Sequence, residues 1–216
     1  HPLLESRVCV TAQHRDMLDQ VLELFAITPH HDLDLMQPGQ DLTDLTSRIL
    51  LAMRPVLRTE RPDIVLVHGD TTTTFATSLA AFYQGIPVGH VEAGLRTGNM
   101  AAPFPEEANR VLCDNLCTLW FPPTDVSAER LRADGHPNER IAITGNTVID
   151  ALLWMRDRLD SIPLSEHLGE LGAIQPLFED TAQQVVLITG HRRESFGDGF
   201  RNMCTAIRTL AERHPS

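Results

Sequence analysis

Three turns and one Arg-rich loop hold the residues with chemistry to offer. His68-Gly69-Asp70-Thr71 puts a carboxylate directly after an apolar run and before a helical pattern. In an open parallel sheet, ligands bind beyond the carboxyl ends of the strands, so a carboxylate there can exchange protons with a substrate. The same Asp70 would serve equally as the N-cap of the following helix, accepting orphan backbone N–H groups for a gain of roughly 1 kcal/mol. On the residues alone both roles stay open. Glu92 ends an apolar strand and needs a partner, and Arg96 could neutralise it in a structural ion pair or hold an anionic ligand. Glu106 and Glu107 open a helix after Pro105, where acids complement the helix dipole. That role accounts for Glu107, whereas Glu106 lies next to the loop where a substrate would sit. Gly190-His191-Arg192-Arg193-Glu194 gathers an imidazole and two guanidiniums at a helix start. The combination favours a diphosphate or another anion, with a solvated charge run as the alternative. Several carboxylates, one His and several Arg around one cleft suit acid/base chemistry on a phosphorylated sugar.

The elements that must position these groups follow from the apolar periodicity. Arg7 to Val10 reads as a strand, followed by a helix from Met17 to Phe25. A second helix runs from Leu42 to Glu60, with Leu42, Leu45, Ile49, Leu50 and Met53 at helical spacing and Pro62 as its stop. Asp63 to Val67 is apolar on both faces, the mark of a buried parallel strand. Phe75 to Gln84 is the next helix and Ile86 to Val91 the next strand, so strand, turn, helix and strand repeat as in a doubly wound sheet. After a polar loop, a helix is expected from Glu106 to about Asn115. Two short strands, Trp120 to Thr124 and Ile141 to Ile143, flank a helix over Asp125 to Asp134. Thr147 to Leu159 is helical, residues 160 to 182 read as a linker, and Gln184 to Thr189 is a fresh strand before a helix over Phe200 to Arg213.

The 216 residues are 42% apolar and 22% charged, with 13 Gly and 14 Pro dispersed among them, which excludes a disordered chain. No apolar stretch approaches the roughly 20 residues a bilayer requires, and no secretory signal opens the chain. No membrane association is therefore expected. Acidic residues number 29 against 18 basic ones, a formal charge of -11, so no basic surface is available to track a nucleic-acid backbone. Lys is absent, which removes Schiff-base and P-loop lysine chemistry. Cys9, Cys113, Cys117 and Cys204 read as reduced core residues, because no second Cys or His pair follows Cys113 and Cys117 at metal-ligand spacing.

Six motifs, in order along the chain, carry a resemblance: Thr11-Ala-Gln-His-Arg15, Val67-His-Gly-Asp-Thr-Thr-Thr-Thr74, Pro87-Val-Gly-His-Val-Glu-Ala-Gly-Leu-Arg-Thr97, Pro105-Glu-Glu-Ala-Asn-Arg110, Thr144-Gly-Asn-Thr-Val-Ile-Asp150 and Gly190-His-Arg-Arg-Glu194. Together they resemble the bacterial non-hydrolysing UDP-N-acetylglucosamine 2-epimerases. The resemblance implies an α/β fold of two Rossmann-like domains of the glycosyltransferase-B type, with the active site between them. On that basis residues 1–146 are expected to form the N-terminal domain without its first strand. Residues 147–182 would be the connecting helix and linker, and 183–216 the start of the C-terminal domain, so that the chain is truncated at both ends.

The implied activity is reversible C2 epimerisation of UDP-N-acetylglucosamine to UDP-N-acetylmannosamine by elimination and re-addition of UDP, for a bacterial surface polysaccharide. By resemblance Asp70, Glu92 and Glu106 are the acid/base carboxylates, and His191 is a functional histidine near the diphosphate. Arg110 and Arg96 would bind substrate. Gln13, Gln40 and Arg192 match a site for a second UDP-N-acetylglucosamine acting as activator. The resemblance further implies neither metal nor nicotinamide cofactor, a cytoplasmic location and a homodimer. Rival readings are a hydrolysing epimerase that releases UDP and N-acetylmannosamine, an inactive nucleotide-sugar-binding fragment, and a sugar transferase of the same fold.

Overall fold

The computed structural model describes residues 3–12, 15–37, 39–159, 185–188 and 197–214. Two compact units divide the chain, His1–Asp150 and Ala151–Ser216.

In the first unit, β1 (Cys9–Val10) pairs in parallel with β2 (His31–Asp32), joined by α1 (Arg15–Leu24). A second parallel sheet holds β3 (Val65–His68), β4 (Val88–Val91) and β5 (Leu119–Phe121) in the order β3-β4-β5. Val65 faces Val88 and His68 faces Val91 across the first pair, and Gly89 faces Leu119 across the second. The connections are α3 (Thr72–Phe82) and α4 (Glu106–Leu116). Each helix returns the chain to the start of the next parallel strand, so the turns at the carboxyl ends of β3, β4 and β5 line one rim.

The core explains why the elements form where they do. In α2 (Leu42–Glu60) Leu45, Ile49, Met53 and Leu57 are buried at successive i+4 positions. They pack on α3, whose buried residues are all Thr, Ser or Ala, among them Ala76, Ala80 and Ala81, so the two helices can lie close together. Asp41 and Asp44 close a reciprocal capping box on α2: Asp44 N–H donates to Asp41 Oδ1 at 2.9 Å and Asp41 N–H to Asp44 Oδ2 at 3.2 Å. The helix runs through Pro55 and ends with Arg61 in the left-handed region. Further on lie α5 (Asp125–Ala133), capped by Thr124, a short 3-10 turn at Asn138–Arg140, and α6 (Thr147–Leu159), within which the unit boundary falls. The second unit's described part includes α7 (Asp198–Arg213).

Several expectations are corrected. α3 begins at Thr72, three residues before the expected Phe75, because Thr71 caps it by accepting from Thr74 N–H at 3.3 Å. Ile141 to Ile143 is no strand; Ile141 makes a single parallel bridge to Trp120. Residues 185–188 carry no strand pairing either. Val67 is buried but Leu66 is 61% exposed, so β3 is covered on one face only by the described residues. Cys204 is exposed on α7 and Cys9 half-buried; only Cys113 and Cys117 are core thiols. The linker expected over residues 160 to 182 lies outside the described residues. No helix of the described residues is long and apolar enough to cross a membrane.

Candidate active site

Asp70 is held at the end of β3 by a turn whose three successive carbonyls, those of His68, Gly69 and Asp70, all accept hydrogen bonds. The His68 carbonyl accepts from Thr74 Oγ1 at 2.6 Å, and the Gly69 N–H donates to Val91 O at 3.0 Å. The Asp70 carbonyl accepts from Asn109 Nδ2 at 2.9 Å. Gly69 turns the chain at φ +71°, a conformation a side chain would strain. Since Thr71 is the N-cap, the capping role for Asp70 is excluded. Its carboxylate instead takes a charge-assisted bond from Arg110 Nη2 at 2.6 Å, across 40 positions of sequence.

Glu92 follows β4 at φ 67°, a left-handed backbone that only glycine adopts freely. Its backbone N–H still donates to Phe121 O at 3.0 Å, so the strain is imposed by the sheet. Such strain is characteristic of sites where geometry is over-determined for function. The carboxylate lies over the β3 turn: a Cβ placed on Gly69 would be 3.9 Å from Glu92 Oε2. His68 Nε2 lies 3.6 Å from the same Oε2 and 3.1 Å from Thr147 Oγ1. Thus Asp70 and Glu92 come to one rim, with Arg110 on the first and His68 beside the second.

Glu106 starts α4, on the face shared by Asn109 and Arg110 at i+3 and i+4. Its Oε2 is buried and receives no hydrogen bond from the described residues. A buried carboxyl oxygen without a donor is costly unless it carries a proton or meets a ligand donor. Its neighbour Glu107 does more than start the helix. Fully buried, it accepts from the Thr97 and Gly98 amides, both at 2.9 Å, and lies 3.4 Å from Arg110 Nη1. Burial works to raise its pKa, but those amides and Arg110 outweigh it and hold the carboxyl below its ordinary value. Arg110 therefore bridges Glu107 and Asp70, and Glu107 straps the Thr97–Gly98 loop to α4.

Arg96 does not pair with Glu92. Its Nη2 donates to Asp114 Oδ2 at 2.7 Å and to Asp134 Oδ2 at 2.9 Å, and its Nη1 to its neighbour's carbonyl, Leu95 O, at 2.8 Å. Asp114 also accepts from Gly94 N–H at 3.2 Å and from His90 Nδ1 at 2.6 Å. His90 and Asp114 are both wholly buried. Burial alone would lower the His90 pKa, but Asp114 and Cys113 raise it to about 10. Conversely, burial pushes the Asp114 pKa up, and His90 and Arg96 bring it below its ordinary value. Two cations, His90 and Arg96, thus balance two anions, Asp114 and Asp134, directly beneath the rim.

The ligand atoms of His90, Cys113 and Cys117 lie within 4.8 Å of one another, a possible set of metal ligands by residue type. Both His90 nitrogens are already taken up, by Asp114 and by Gly69 O, so a metal would have to break one of these bonds. His68, His90 and Asp114 are functional-site residues that the reading of the sequence does not single out. The signal available was a His at the centre of the apolar strand β4, and charges on the buried face of α4 at Glu107, Arg110 and Asp114.

Gln40 accepts from Gln37 N–H at 3.1 Å, and its side-chain amide lies 3.2 Å from Met36 Sδ. Gln13, His191 and Arg192 lie outside the described residues. Thr11, which opens the motif containing Gln13, lies 2.9 Å from Thr73 at the start of α3, so that motif begins at the same rim.

A family model described as UDP-N-acetylglucosamine 2-epimerase matches residues 1–216. The Escherichia coli K12 UDP-N-acetylglucosamine 2-epimerase is 58% identical over 214 residues, 99% of this chain and 56% of that protein. The crystal structure of UDP-GlcNAc 2-epimerase from Neisseria meningitidis bound to UDP-GlcNAc superposes with a TM-score of 0.87 at 48% identity, covering 100% of this chain and 57% of that one. The S. aureus MnaA–UDP co-structure gives a TM-score of 0.81 at 41% identity, over 99% of this chain and 53% of that one. The chain spans about half the length of the curated relatives it matches. Its parallel α/β architecture is that of these glycosyltransferase-B-type epimerases. With the family model matched from end to end and the rim of carboxylates in position, the chain belongs to the UDP-N-acetylglucosamine 2-epimerase family.

Proposed function

We propose that the protein interconverts UDP-N-acetylglucosamine and UDP-N-acetylmannosamine without releasing the sugar, in the service of a bacterial surface polysaccharide. The observation that carries this reading is the convergence of Asp70, Glu92 and the start of α4 on one rim, in a chain 48% identical to a protein solved with UDP-GlcNAc. The C2 proton is not acidic, because no carbonyl stands beside it. The reaction therefore starts with a carboxylate removing that proton as the C1–O bond breaks, the electron pair leaving with UDP and a C1=C2 double bond forming. A second acid/base group then delivers a proton to C2 from the other face while a UDP oxygen adds back at C1, so atoms and charge balance. Asp70, Glu92 and Glu106 are the groups proposed for these transfers. The buried Oε2 of Glu106 has no hydrogen-bond partner among the described residues, which leaves it available to a ligand donor.

Arg110 orients Asp70. His191 is assigned to the diphosphate, where its charge would stabilise the leaving group. Arg96 and Arg110 are assigned to substrate binding, and Arg96 also supports the rim through Asp114. Gln13, Gln40 and Arg192 are assigned to an activating second UDP-N-acetylglucosamine, the working protein to a homodimer, and the reaction to the cytoplasm without metal or nicotinamide.

Proton NMR of UDP-N-acetylglucosamine in deuterated water with the protein tests the reaction. Deuterium at C2 together with the manno epimer and intact UDP-sugar is expected. Free N-acetylmannosamine with UDP would assign the hydrolysing chemistry, and sugar bound without exchange would assign a binding role. Asp70→Asn, Glu92→Gln and Glu106→Gln should each lower kcat by about 100-fold or more with the fold intact, and near-normal rates would remove the residue concerned from the mechanism.

A further inference from the structure

His90 is wholly buried, two residues before Glu92 on β4. Its two ring nitrogens face two acceptors: Nδ1 lies 2.6 Å from Asp114 Oδ1 and Nε2 lies 2.7 Å from the carbonyl of Gly69. A carbonyl can only accept, so Nε2 carries a proton. Asp114 is held as a carboxylate by Arg96 at 2.7 Å and by the Gly94 amide at 3.2 Å, so Nδ1 carries one too. The ring is therefore an imidazolium. The other titratable groups around it are Cys113 on α4 and Cys117 just after its end, and no second buried cation touches the Gly69 carbonyl among the described residues.

The Gly69 carbonyl belongs to the peptide that carries Asp70. The two peptide planes flanking the Asp70 Cα are thus each held, the Gly69–Asp70 plane by His90 and the Asp70–Thr71 plane by the Asn109 bond to the Asp70 carbonyl. The same imidazolium is tied through Asp114 to Gly94, two residues beyond Glu92. We propose that His90 is a positioning residue, whose doubly donating ring locks the β3 turn to the β4 turn and so sets the Asp70 carboxylate against Glu92. The assignment rests on the epimerase reading above and deepens it. Displacing a reacting group by about 1 Å can cost on the order of 100-fold in rate, so a clamp on the peptide next to Asp70 acts on turnover more than on substrate affinity.

The two ring nitrogens can be tested separately, since an Asn amide reaches about as far as Nδ1 and a Gln amide about as far as Nε2. In the full-length protein, His90→Gln keeps a donor for Gly69 and His90→Asn keeps one only for Asp114. Expected for His90→Asn is a kcat lowered about 10- to 100-fold with the KM for UDP-N-acetylglucosamine within about 3-fold of the parent, while His90→Gln stays within about 5-fold in both. Equal losses in the two variants, or a rise in KM alone, would overturn the proposal. Nitrogen-15 NMR of the parent protein supplies a readout independent of turnover and of either variant's stability. Both His90 ring nitrogens should be protonated from pH 6.5 to 9, and a neutral tautomer would refute the clamp. If the parent shows no epimerase activity, the functional reading fails on its own. The Gly69 carbonyl carbon-13 shift then still decides: it should move in His90→Asn and stay in His90→Gln, and an unmoved shift in both would end the proposal.

Discussion

Glu92 pays for its place with a left-handed backbone at φ 67°. For an L residue that conformation costs roughly 1–2 kcal/mol, which glycine escapes. Glu92→Gly and Glu92→Ala both remove the carboxylate, and only the first relieves the strain. Urea denaturation should find Glu92→Gly more stable than Glu92→Ala by about 0.5–1 kcal/mol, after the entropy that glycine loses on folding is subtracted. Equal stabilities would mean that the turn relaxes around Ala. Turnover should collapse in both, so a stabilised, inactive Glu92→Gly would separate what the residue costs the fold from what it contributes to the site.

At the scale of elements, α4 is unusual in burying charge where a helix buries apolar residues. Glu107, Arg110 and Asp114 share that face with Cys113. Each is neutralised by another element: Glu107 by the Thr97–Gly98 loop, Arg110 by the β3 turn, Asp114 by β4. Glu107→Gln should destabilise the fold by about 1–3 kcal/mol at neutral pH, because it removes the charge of a buried acceptor that holds two half-buried amides. The Glu107 pKa is lowered on folding, so its contribution is full above the ordinary value of 4.5 and is lost as pH falls through the lowered one. The stability gap between parent and Glu107→Gln should therefore close below pH 4.5, and a gap constant down to pH 3 would contradict the assignment.

Where β4 turns toward this loop, Gly94 (φ +79°) touches α5. A Cβ there would lie 2.3 Å from Ser127 O and 2.9 Å from Leu131 Cγ. Gly94→Ala should cost about 3 kcal/mol or more, from overlap with backbone that cannot move aside as well as from strain.

For the whole molecule, stability concentrates in the unit His1–Asp150, whose core joins α2, α3, α4 and the β3-β4-β5 sheet. In the described part of Ala151–Ser216 no residue is buried, and Leu187 is 87% exposed. Protection against hydrogen exchange follows buried, hydrogen-bonded backbone. The amides of β4 and of the middle of α3 should exchange slowest in this chain, and those of α7 should exchange orders of magnitude faster. Comparable protection in α7 would show that its apolar face is covered in solution.

Much of the element order was legible from residues taken in sequence. Leu45, Ile49 and Met53 repeat at helical spacing, and the apolar runs before His68 and Glu92 end in turn residues, so α2, β3 and β4 could be read from local pattern. The motifs that revealed the family are linear as well. Bond partners were not legible, because they join positions 20 to 40 residues apart that only packing brings together: Arg110 with Asp70, Asp114 with His90, Arg96 with Asp134 rather than Glu92. Local chemistry thus names the carboxylates, since a carboxylate after a strand can be recognised without its surroundings. Which of them caps a helix, which is clamped and which is left without a donor depends on the groups that packing sets against it. Asp70 and Glu106 acquired their distinct environments only there.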